Sequence, residues 1–232
     1  MKYAKIKNCD VANGPGVRVS LFVSGCNHHC KNCFNREAWD FNYGNDFTEK
    51  EEKEIIDDLK PEYITGLSLL GGEPFEKTNQ EGLVPLIKKV KETYPDKKIW
   101  CYTGFTFDKQ ILGQMIKEEH RETTKAMLDN IDYIVDGRFV DELKDPKLRF
   151  RGSSNQRIID VKKSLAQNEV VIWDGLNKDV GYNRSPKGPG YNGVIDNLLN
   201  NCYPIITWTF WGSFIVFLGK FYKKLYTCID KK

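Results

Sequence analysis

Val17-Arg-Val-Ser-Leu-Phe-Val23 runs directly into Ser24-Gly-Cys-Asn-His-His-Cys-Lys-Asn-Cys-Phe-Asn35, and these two consecutive stretches decide the fold. The first stretch is rich in β-branched residues and becomes wholly apolar, which is typical of a strand that enters a sheet covered on both faces. The second stretch places three cysteines in the loop that follows this strand. The sequence therefore predicts a reactive loop at the carboxyl end of a buried strand.

The spacing of Cys26, Cys30 and Cys33 is typical of an iron–sulfur active site. Three thiolates can each hold one iron of a cubic cluster, and no fourth cysteine follows nearby to close the site. S-adenosylmethionine can chelate the remaining iron, receive one electron and break into methionine and a 5′-deoxyadenosyl radical. A structural Cys3His zinc site that uses His28 or His29 is a second interpretation, and the spacing alone leaves it open.

Composition bounds the class of protein. The chain has 232 residues, of which 40% are hydrophobic and 29% charged, which suits a globular α/β domain. The net charge is only +3, so the chain lacks the excess of basic residues that is typical of nucleic-acid-binding domains. The seven cysteines are odd in number and no apolar leader precedes the first strand, which argues against a disulfide framework. We therefore expect reduced thiols and a cytoplasmic protein.

Strands and helices alternate after the cysteine run. A capping box at Thr48 and Glu51 begins a helix whose apolar residues end at Leu59. The later pattern predicts strands over Ile64–Leu70, Lys98–Thr103 and Ile131–Val135, and helices over Leu83–Tyr94, Asp108–Glu119 and Thr123–Asn130. Such alternation favours parallel strands, and the units are too few to close an eight-stranded barrel. The predicted fold is α/β, an open partial (β/α) barrel of parallel strands with a C-terminal extension.

Two further loops should join the cysteine loop at the C-terminal rim of this sheet, where ligands gather in such folds. They are Gly71-Gly72-Glu73-Pro74, after the second predicted strand, and Thr103-Gly104, after the third. Paired glycines let a backbone approach a ligand closely, whereas a plain turn is the alternative. The position beside the cysteine strand favours ligand binding.

The cysteine run together with Gly-Gly-Glu-Pro resembles the radical S-adenosylmethionine superfamily. Four more features narrow the resemblance to the activating proteins of anaerobic (class III) ribonucleotide reductase: Asn13-Gly-Pro-Gly-Val-Arg18, Trp39, Val135-Asp-Gly-Arg-Phe-Val140 and Leu143-Lys-Asp-Pro-Lys-Leu-Arg-Phe-Arg-Gly-Ser-Ser-Asn-Gln156. The resemblance covers residues 1–174.

The resemblance implies a set of cofactor-binding residues. Cys26, Cys30 and Cys33 are expected to hold one [4Fe-4S] cluster per chain, with S-adenosylmethionine on the remaining iron. Around that cofactor, the resemblance implies that Asn32, Cys33 and Phe34 border it, that Gly71 and Gly72 offer backbone contacts to its methionine end, and that Glu73 lies near the methionine ammonium.

The resemblance also implies partners. Flavodoxin or ferredoxin is expected to supply the electron, and the deoxyadenosyl radical to take a hydrogen from a glycine of anaerobic ribonucleoside-triphosphate reductase. A sibling hypothesis is the activase of pyruvate formate-lyase, which shares the cysteine spacing and a Gly-Pro-Gly segment. It resembles this chain poorly at Asp136-Gly-Arg-Phe139 and at Arg151-Gly-Ser-Ser-Asn-Gln156.

Other reactive side chains receive no firm role from the sequence. His28 and His29 are expected to face solvent or to neighbour the site rather than to ligate metal. Two interpretations stay open for four arginines, either ordinary surface charge or contacts to carboxylates of the cofactor or partner: Arg138, Arg149, Arg151 and Arg157. No function is expected for Cys9, Cys101, Cys202 and Cys228.

The composition changes near residue 174. We predict an activase domain over 1–174, a linker over 175–201 rich in Gly, Asn and Pro, and an apolar, aromatic tail over 202–232. The apolar segment Ile205–Leu218 is shorter than the ~20 residues of a spanning helix, although Tyr203–Tyr222 would reach that length if Lys220 snorkelled. A soluble hairpin packed on the core or on a partner is favoured over membrane contact.

Overall fold

The computed structural model describes residues 1–117 and 120–175. The predicted tail over 202–232 lies outside these ranges, as does the linker over 175–201 apart from its first residue. The predicted domain division therefore stays a prediction. Among the helices of these ranges, none combines the length and the apolar character of a membrane-spanning segment.

The described residues form a mixed α/β fold built on one sheet. Its strands are β1 (Lys2–Asp10), β2 (Val17–Val23), β3 (Asn45–Asp46), β4 (Ile64–Gly71), β5 (Lys98–Tyr102), β6 (Tyr133–Asp136) and β7 (Arg157–Asp160). Its α-helices are α1 (Glu49–Asp58), α2 (Lys77–Thr93), α3 (Arg121–Asn130) and α4 (Val161–Gln167). The strand order is β3-β1-β2-β4-β5-β6-β7.

Four adjacent strands, β2, β4, β5 and β6, are parallel. Their carboxyl ends therefore lie at one edge of the sheet. This arrangement confirms the α/β class and the open sheet with the cysteine loop at its rim, whereas curvature into a partial barrel stays a prediction.

The prediction of an all-parallel sheet is wrong at both edges. β1 runs antiparallel to β2, β3 antiparallel to β1, and β7 antiparallel to β6. Polar residues dominate β1, an edge-region strand with no buried side chain before its last residue, so it carries no apolar alternation. β3 and β7 contain only two and four residues, too few for a periodic pattern.

The helix predictions hold for α1, α2 and α3 but fail for the segment after β5. Thr48 and Glu51 form the predicted capping box at the start of α1. The predicted helix over Asp108–Glu119 is wrong, because the described part of this segment forms a π turn over Phe107–Ile111 and a 3-10 turn over Met115–Lys117. Gly113 lies between the two turns, and glycine costs about 1 kcal/mol relative to alanine inside a helix.

The two sides of the sheet carry different residues in register. Leu69, Cys101, Ile134 and Ile159 occupy paired positions of successive strands on one side, and all are fully buried. The other side carries Trp100, whose ring packs at 5.9 Å from the ring of Phe150 and 5.3 Å from that of Trp173. Burial on both sides explains why the central strands read as continuous apolar runs.

Arg18 crosses the interior at the end of the sheet opposite the rim. Its side chain is buried and donates to the Ser68 hydroxyl at 2.7 Å. It also donates to two backbone carbonyls, Leu67 at 2.9 Å and Lys98 at 2.6 Å. Burial lowers the pKa of Arg18 to about 10. One guanidinium therefore ties β2 to β4 and β5, because only its fork can reach several acceptors at once.

Replacing Arg18 should destabilise the fold. We expect Arg18→Met to lower the free energy of unfolding by about 2–4 kcal/mol, because it leaves buried carbonyls without a donor. Arg121→Met is the matched control, since Arg121 is exposed at the start of α3 and a change there should stay within about 0.5 kcal/mol. Urea unfolding of the anaerobically purified chain measures both. Equal stability of the two variants would contradict this role of Arg18.

Candidate active site

The cysteine run forms a closed loop at the end of β2. The amide of Gly25 donates to the Ala38 carbonyl at 2.9 Å, and the amide of Cys26 donates to the Trp39 carbonyl at 3.2 Å. The chain thus leaves the sheet after β2 and returns through the 3-10 turn Arg36–Trp39 to the same point. All three cysteines lie within this closed segment, so the distances between their thiols cannot exceed the dimensions of the loop.

Two left-handed residues shape the interior of the loop. His29 and Asn32 have φ values of 48° and 54°. Asparagine is among the side chains that best tolerate this region. Across the bend at Asn32, the amide of Cys33 donates to the Cys30 carbonyl at 3.1 Å. Cys30 and Cys33 therefore lie at the two ends of one tight turn.

The thiols differ in burial. Cys26 is buried, whereas Cys30 and Cys33 are partly exposed. Burial raises the pKa of Cys26 to about 12. Burial also raises the pKa of Cys30, and repulsion from the Cys33 thiolate adds a smaller effect in the same direction. Metals bind thiolates, so metal binding here must release protons. In the described ranges, no three His, Cys, Asp or Glu side chains are grouped as ligands of a single metal ion.

The Gly71-Gly72 segment lies against the first residues of the cysteine loop. The amide of Gly72 donates to the Val23 carbonyl at 2.7 Å, and the amide of Glu73 donates to the Gly25 carbonyl at 2.8 Å. Gly71 has a φ of 111°, and a Cβ on Gly72 would lie 2.5 Å from the Gly25 oxygen. Only glycine suits this close approach of two backbones.

Asn79, in the first turn of α2, also holds the two loops together. Its side-chain amide is buried and donates to the Ser24 carbonyl at 3.0 Å and to the Glu73 carbonyl at 2.9 Å. Sequence reasoning missed Asn79, because nothing in the pattern of a helix shows which carbonyls an amide will reach. The burial of this amide is visible only in the structure, where a buried polar group needs a hydrogen-bond partner.

The Glu73 carboxylate is buried and accepts three hydrogen bonds. One oxygen, Oε1, accepts from the Phe75 amide at 2.9 Å. The other, Oε2, accepts from the Gly104 amide at 2.6 Å and lies 2.9 Å from Nε2 of His28. The predicted convergence of the cysteine, Gly-Gly and Thr103-Gly104 loops at one rim is therefore confirmed.

The two histidines have different surroundings. His28 is buried and neighbours the site, which is the second of the two positions expected for the histidines. His29 is exposed, and its ring lies 4.7 Å from that of Trp39. Nε of Arg138 donates to Nδ1 of His28 at 3.1 Å, a contact between residues far apart in the chain that the sequence did not reveal.

The segment after β6 forms one flank of the cysteine loop. Lys31 pairs with Glu142 at 2.6 Å, and the Asn32 side chain donates to Asp141 at 2.7 Å. Both contacts are exposed and contribute little stability, but they show which segment borders the loop. Phe34, directly after Cys33, is 89% exposed. An aromatic ring of this size is thus available at the surface of the loop.

Comparisons with known proteins decide the family. A family described as "4Fe-4S single cluster domain" matches residues 12–159. The chain is 43% identical over 160 residues to the anaerobic ribonucleoside-triphosphate reductase-activating protein of Haemophilus influenzae, which covers 68% of this chain and 97% of that protein. The protein of the same name from Vibrio cholerae is 42% identical over the same shares of each chain. That from Enterobacteria phage T4 is 41% identical, covering 68% of this chain and 93% of its own.

The chain belongs to the family of anaerobic ribonucleoside-triphosphate reductase-activating proteins. The 4Fe-4S domain and this family membership also support S-adenosylmethionine as the second cofactor. The family match replaces the structural zinc hypothesis, which explained none of the later motifs. It also favours the reductase activase over its pyruvate formate-lyase sibling, as the Asp136-Gly-Arg-Phe139 motif indicated.

The activase motifs beyond β6 stabilise the chain itself. Arg157, the first residue of β7, donates to Asp136 at the end of β6 at 3.0 Å and to Asp108 in the segment after β5 at 2.7 Å. Arg151 donates to the Gln156 carbonyl at 3.1 Å, and the Arg149 guanidinium lies 5.7 Å from the centre of the Phe150 ring. These contacts within the chain favour a structural role for the three arginines.

Removing any one of the three cysteines should remove the cluster but keep the fold. We expect Cys26→Ala, Cys30→Ala and Cys33→Ala to lose iron and sulfide after reconstitution, because a cubic cluster needs each thiolate on its own iron. The melting temperature of the apoprotein should change little for Cys30 and Cys33, which are partly exposed.

Cys9→Ala is the matched control, since Cys9 is exposed on β1, outside the loop, and its variant should bind about four irons per chain. Iron and sulfide analysis, with circular dichroism for the fold, measures these outcomes. A loop variant that holds as much iron as the Cys9 variant would refute the assignment.

Proposed function

We propose that this chain activates anaerobic ribonucleoside-triphosphate reductase by generating a glycyl radical on it. The observation that carries the proposal is the convergence of the cysteine loop and the Gly71-Gly72 segment at the carboxyl ends of parallel strands. Relatives that are 41–43% identical over almost their whole length are named for activating that reductase. The chain is then an enzyme whose substrate is another protein.

We further propose that Cys26, Cys30 and Cys33 hold the [4Fe-4S] cluster. When bound and reduced, the cluster supplies the electron that cleaves S-adenosylmethionine to methionine and a 5′-deoxyadenosyl radical, which takes a hydrogen atom from a glycine of the partner. The residues present fit such a group. The three thiols lie in one closed loop, and no disulfide joins any of the cysteines in the described residues.

Polar atoms without partners support a bound polar ligand beside this loop. Ser24 Oγ and Asn35 Nδ2 are buried at the two ends of the cysteine run and have no hydrogen-bond partner in the protein. Buried polar atoms in native proteins are normally paired. A cofactor with amino, carboxylate and ribose groups would supply such partners at this rim.

The chain's own residues would bind and orient S-adenosylmethionine. Gly71 and Gly72 are partly exposed, so their backbone can meet the methionine end. Asn32 and Phe34 border the cofactor from the surface of the cysteine loop. Glu73 lies deeper: Oε1 accepts one hydrogen bond, and a carboxylate oxygen can accept two, so this oxygen retains capacity toward the methionine ammonium.

The partial barrel and the electron source complete the proposal. An open partial barrel would curve the sheet around the cofactor and leave the rim accessible to the reductase. One electron enters from flavodoxin or ferredoxin, and one hydrogen atom leaves the glycine, so the products are methionine, 5′-deoxyadenosine and the glycyl radical. The reducing cytoplasm suits thiols that must stay unpaired for metal.

Radical transfer to a defined partner tests this function. Mixing the reconstituted chain with reductant, S-adenosylmethionine and the reductase should give the doublet of a glycyl radical in the electron paramagnetic resonance spectrum. Pyruvate formate-lyase in place of the reductase is the control and should give none. A radical on pyruvate formate-lyase but not on the reductase would overturn the choice of partner.

A further inference from the structure

His28 lies at the centre of the buried part of the site. The exposed fractions of the His28 and Glu73 side chains are only 4% and 1%. Nε2 of His28 lies 2.9 Å from Oε2 of Glu73, and Nδ1 accepts from Nε of Arg138 at 3.1 Å. Both ring nitrogens are therefore engaged, one on each side of the imidazole.

The partners determine which ring nitrogen carries the proton. A guanidinium only donates hydrogen bonds, so Nδ1 of His28 must accept from Arg138. A carboxylate only accepts, so Nε2 carries the proton and donates to Glu73. The three side chains form one directed series, from Arg138 through His28 to Glu73.

Packing leaves the imidazole little freedom to leave this position. The Phe105 ring meets it edge-on, with 4.4 Å between ring centres. The preceding residue is equally close, because a Cβ added to Gly104 would lie 2.3 Å from Cδ2 of His28. The backbone of the loop after β5 thus approaches the ring as closely as glycine allows, which fixes the orientation of both hydrogen bonds.

The series joins the loops after all four parallel strands. His28 belongs to the loop after β2, Glu73 to that after β4, and Arg138 to that after β6. The loop after β5 enters through the Gly104 amide, which donates to the same Glu73 oxygen as His28. Removing the His28 donor would leave a buried carboxylate short of one hydrogen bond, and such a group moves or admits water.

We propose that His28 is a positioning residue that fixes the Gly71-Gly72-Glu73 segment relative to the cysteine loop. Both of its ring nitrogens are taken up by Glu73 and Arg138, so it acts through Glu73. The effect on cofactor binding rests on the proposed function, because that segment is where S-adenosylmethionine would be bound. The mechanical coupling itself can be measured in the chain without any cofactor.

Two variants separate the hydrogen bonds from the shape of the ring. His28→Phe keeps a ring against Phe105 but has no nitrogen, whereas His28→Gln keeps one donor and one acceptor. His29→Asn is the matched control, because His29 is exposed and asparagine accepts its φ of 48°. Arg138→Met serves as a further variant, since Arg138 is exposed and its loss removes only one end of the series.

The first measurement is amide hydrogen exchange in the apoprotein. We expect faster exchange at the Gly104 and Phe75 amides, whose acceptor is Glu73, in His28→Phe but not in His29→Asn. Exchange within β4 should stay unchanged, which distinguishes loss of the His28–Glu73 hydrogen bond from general destabilisation of the fold. Unchanged exchange at both amides would refute the coupling.

The second measurement is S-adenosylmethionine affinity, followed through the spectrum of the reconstituted cluster. His28→Phe should weaken binding about tenfold at unchanged iron content, Arg138→Met less, and His28→Gln should stay within about threefold of the natural chain. Equal affinity of His28→Phe and the natural chain, or no rescue by His28→Gln, would overturn the proposal. Failure of the natural chain to bind the cofactor would instead overturn the proposed function, and the exchange measurement would still decide the coupling.

Discussion

The hydrogen bonds that continue the β2–β4 ladder beyond the strands are the constraint on which the site depends. The Gly72 amide reaches the Val23 carbonyl at 2.7 Å and the Glu73 amide reaches the Gly25 carbonyl at 2.8 Å. They place the backbone of the Gly-Gly segment directly beside the start of the cysteine loop. Any side chain at residue 72 would separate the two segments, because its Cβ would lie 2.5 Å from the Gly25 oxygen.

Side chains also hold the Gly-Gly segment against the cysteine loop. From α2, the Asn79 side chain donates hydrogen bonds to the Ser24 and Glu73 carbonyls. The Glu73 carboxylate in turn accepts hydrogen bonds from the neighbouring loops. At the other end of the sheet, Arg18 ties the same strands together. The reactive loop is therefore supported by the sheet from which it emerges, which is the arrangement that precise positioning of a cofactor requires.

The sequence predicted the parts of the fold that are periodic or chemically distinctive. The four parallel strands and α1 have apolar patterns or a capping box, and the cysteines and glycines have characteristic spacing. β1, β3 and β7 escaped prediction because they are polar or short. The Arg138–His28–Glu73 series escaped because hydrogen bonds between residues 110 and 45 positions apart leave no local pattern.

The most direct test of the central claim is the electron paramagnetic resonance spectrum of the anaerobically reconstituted, reduced chain, recorded with and without S-adenosylmethionine. We predict the signal of a reduced [4Fe-4S] cluster and a change in that signal when the cofactor is added, since three cysteines leave one iron open. A cluster signal that the cofactor leaves unchanged, or stoichiometric zinc in place of iron, would contradict the account.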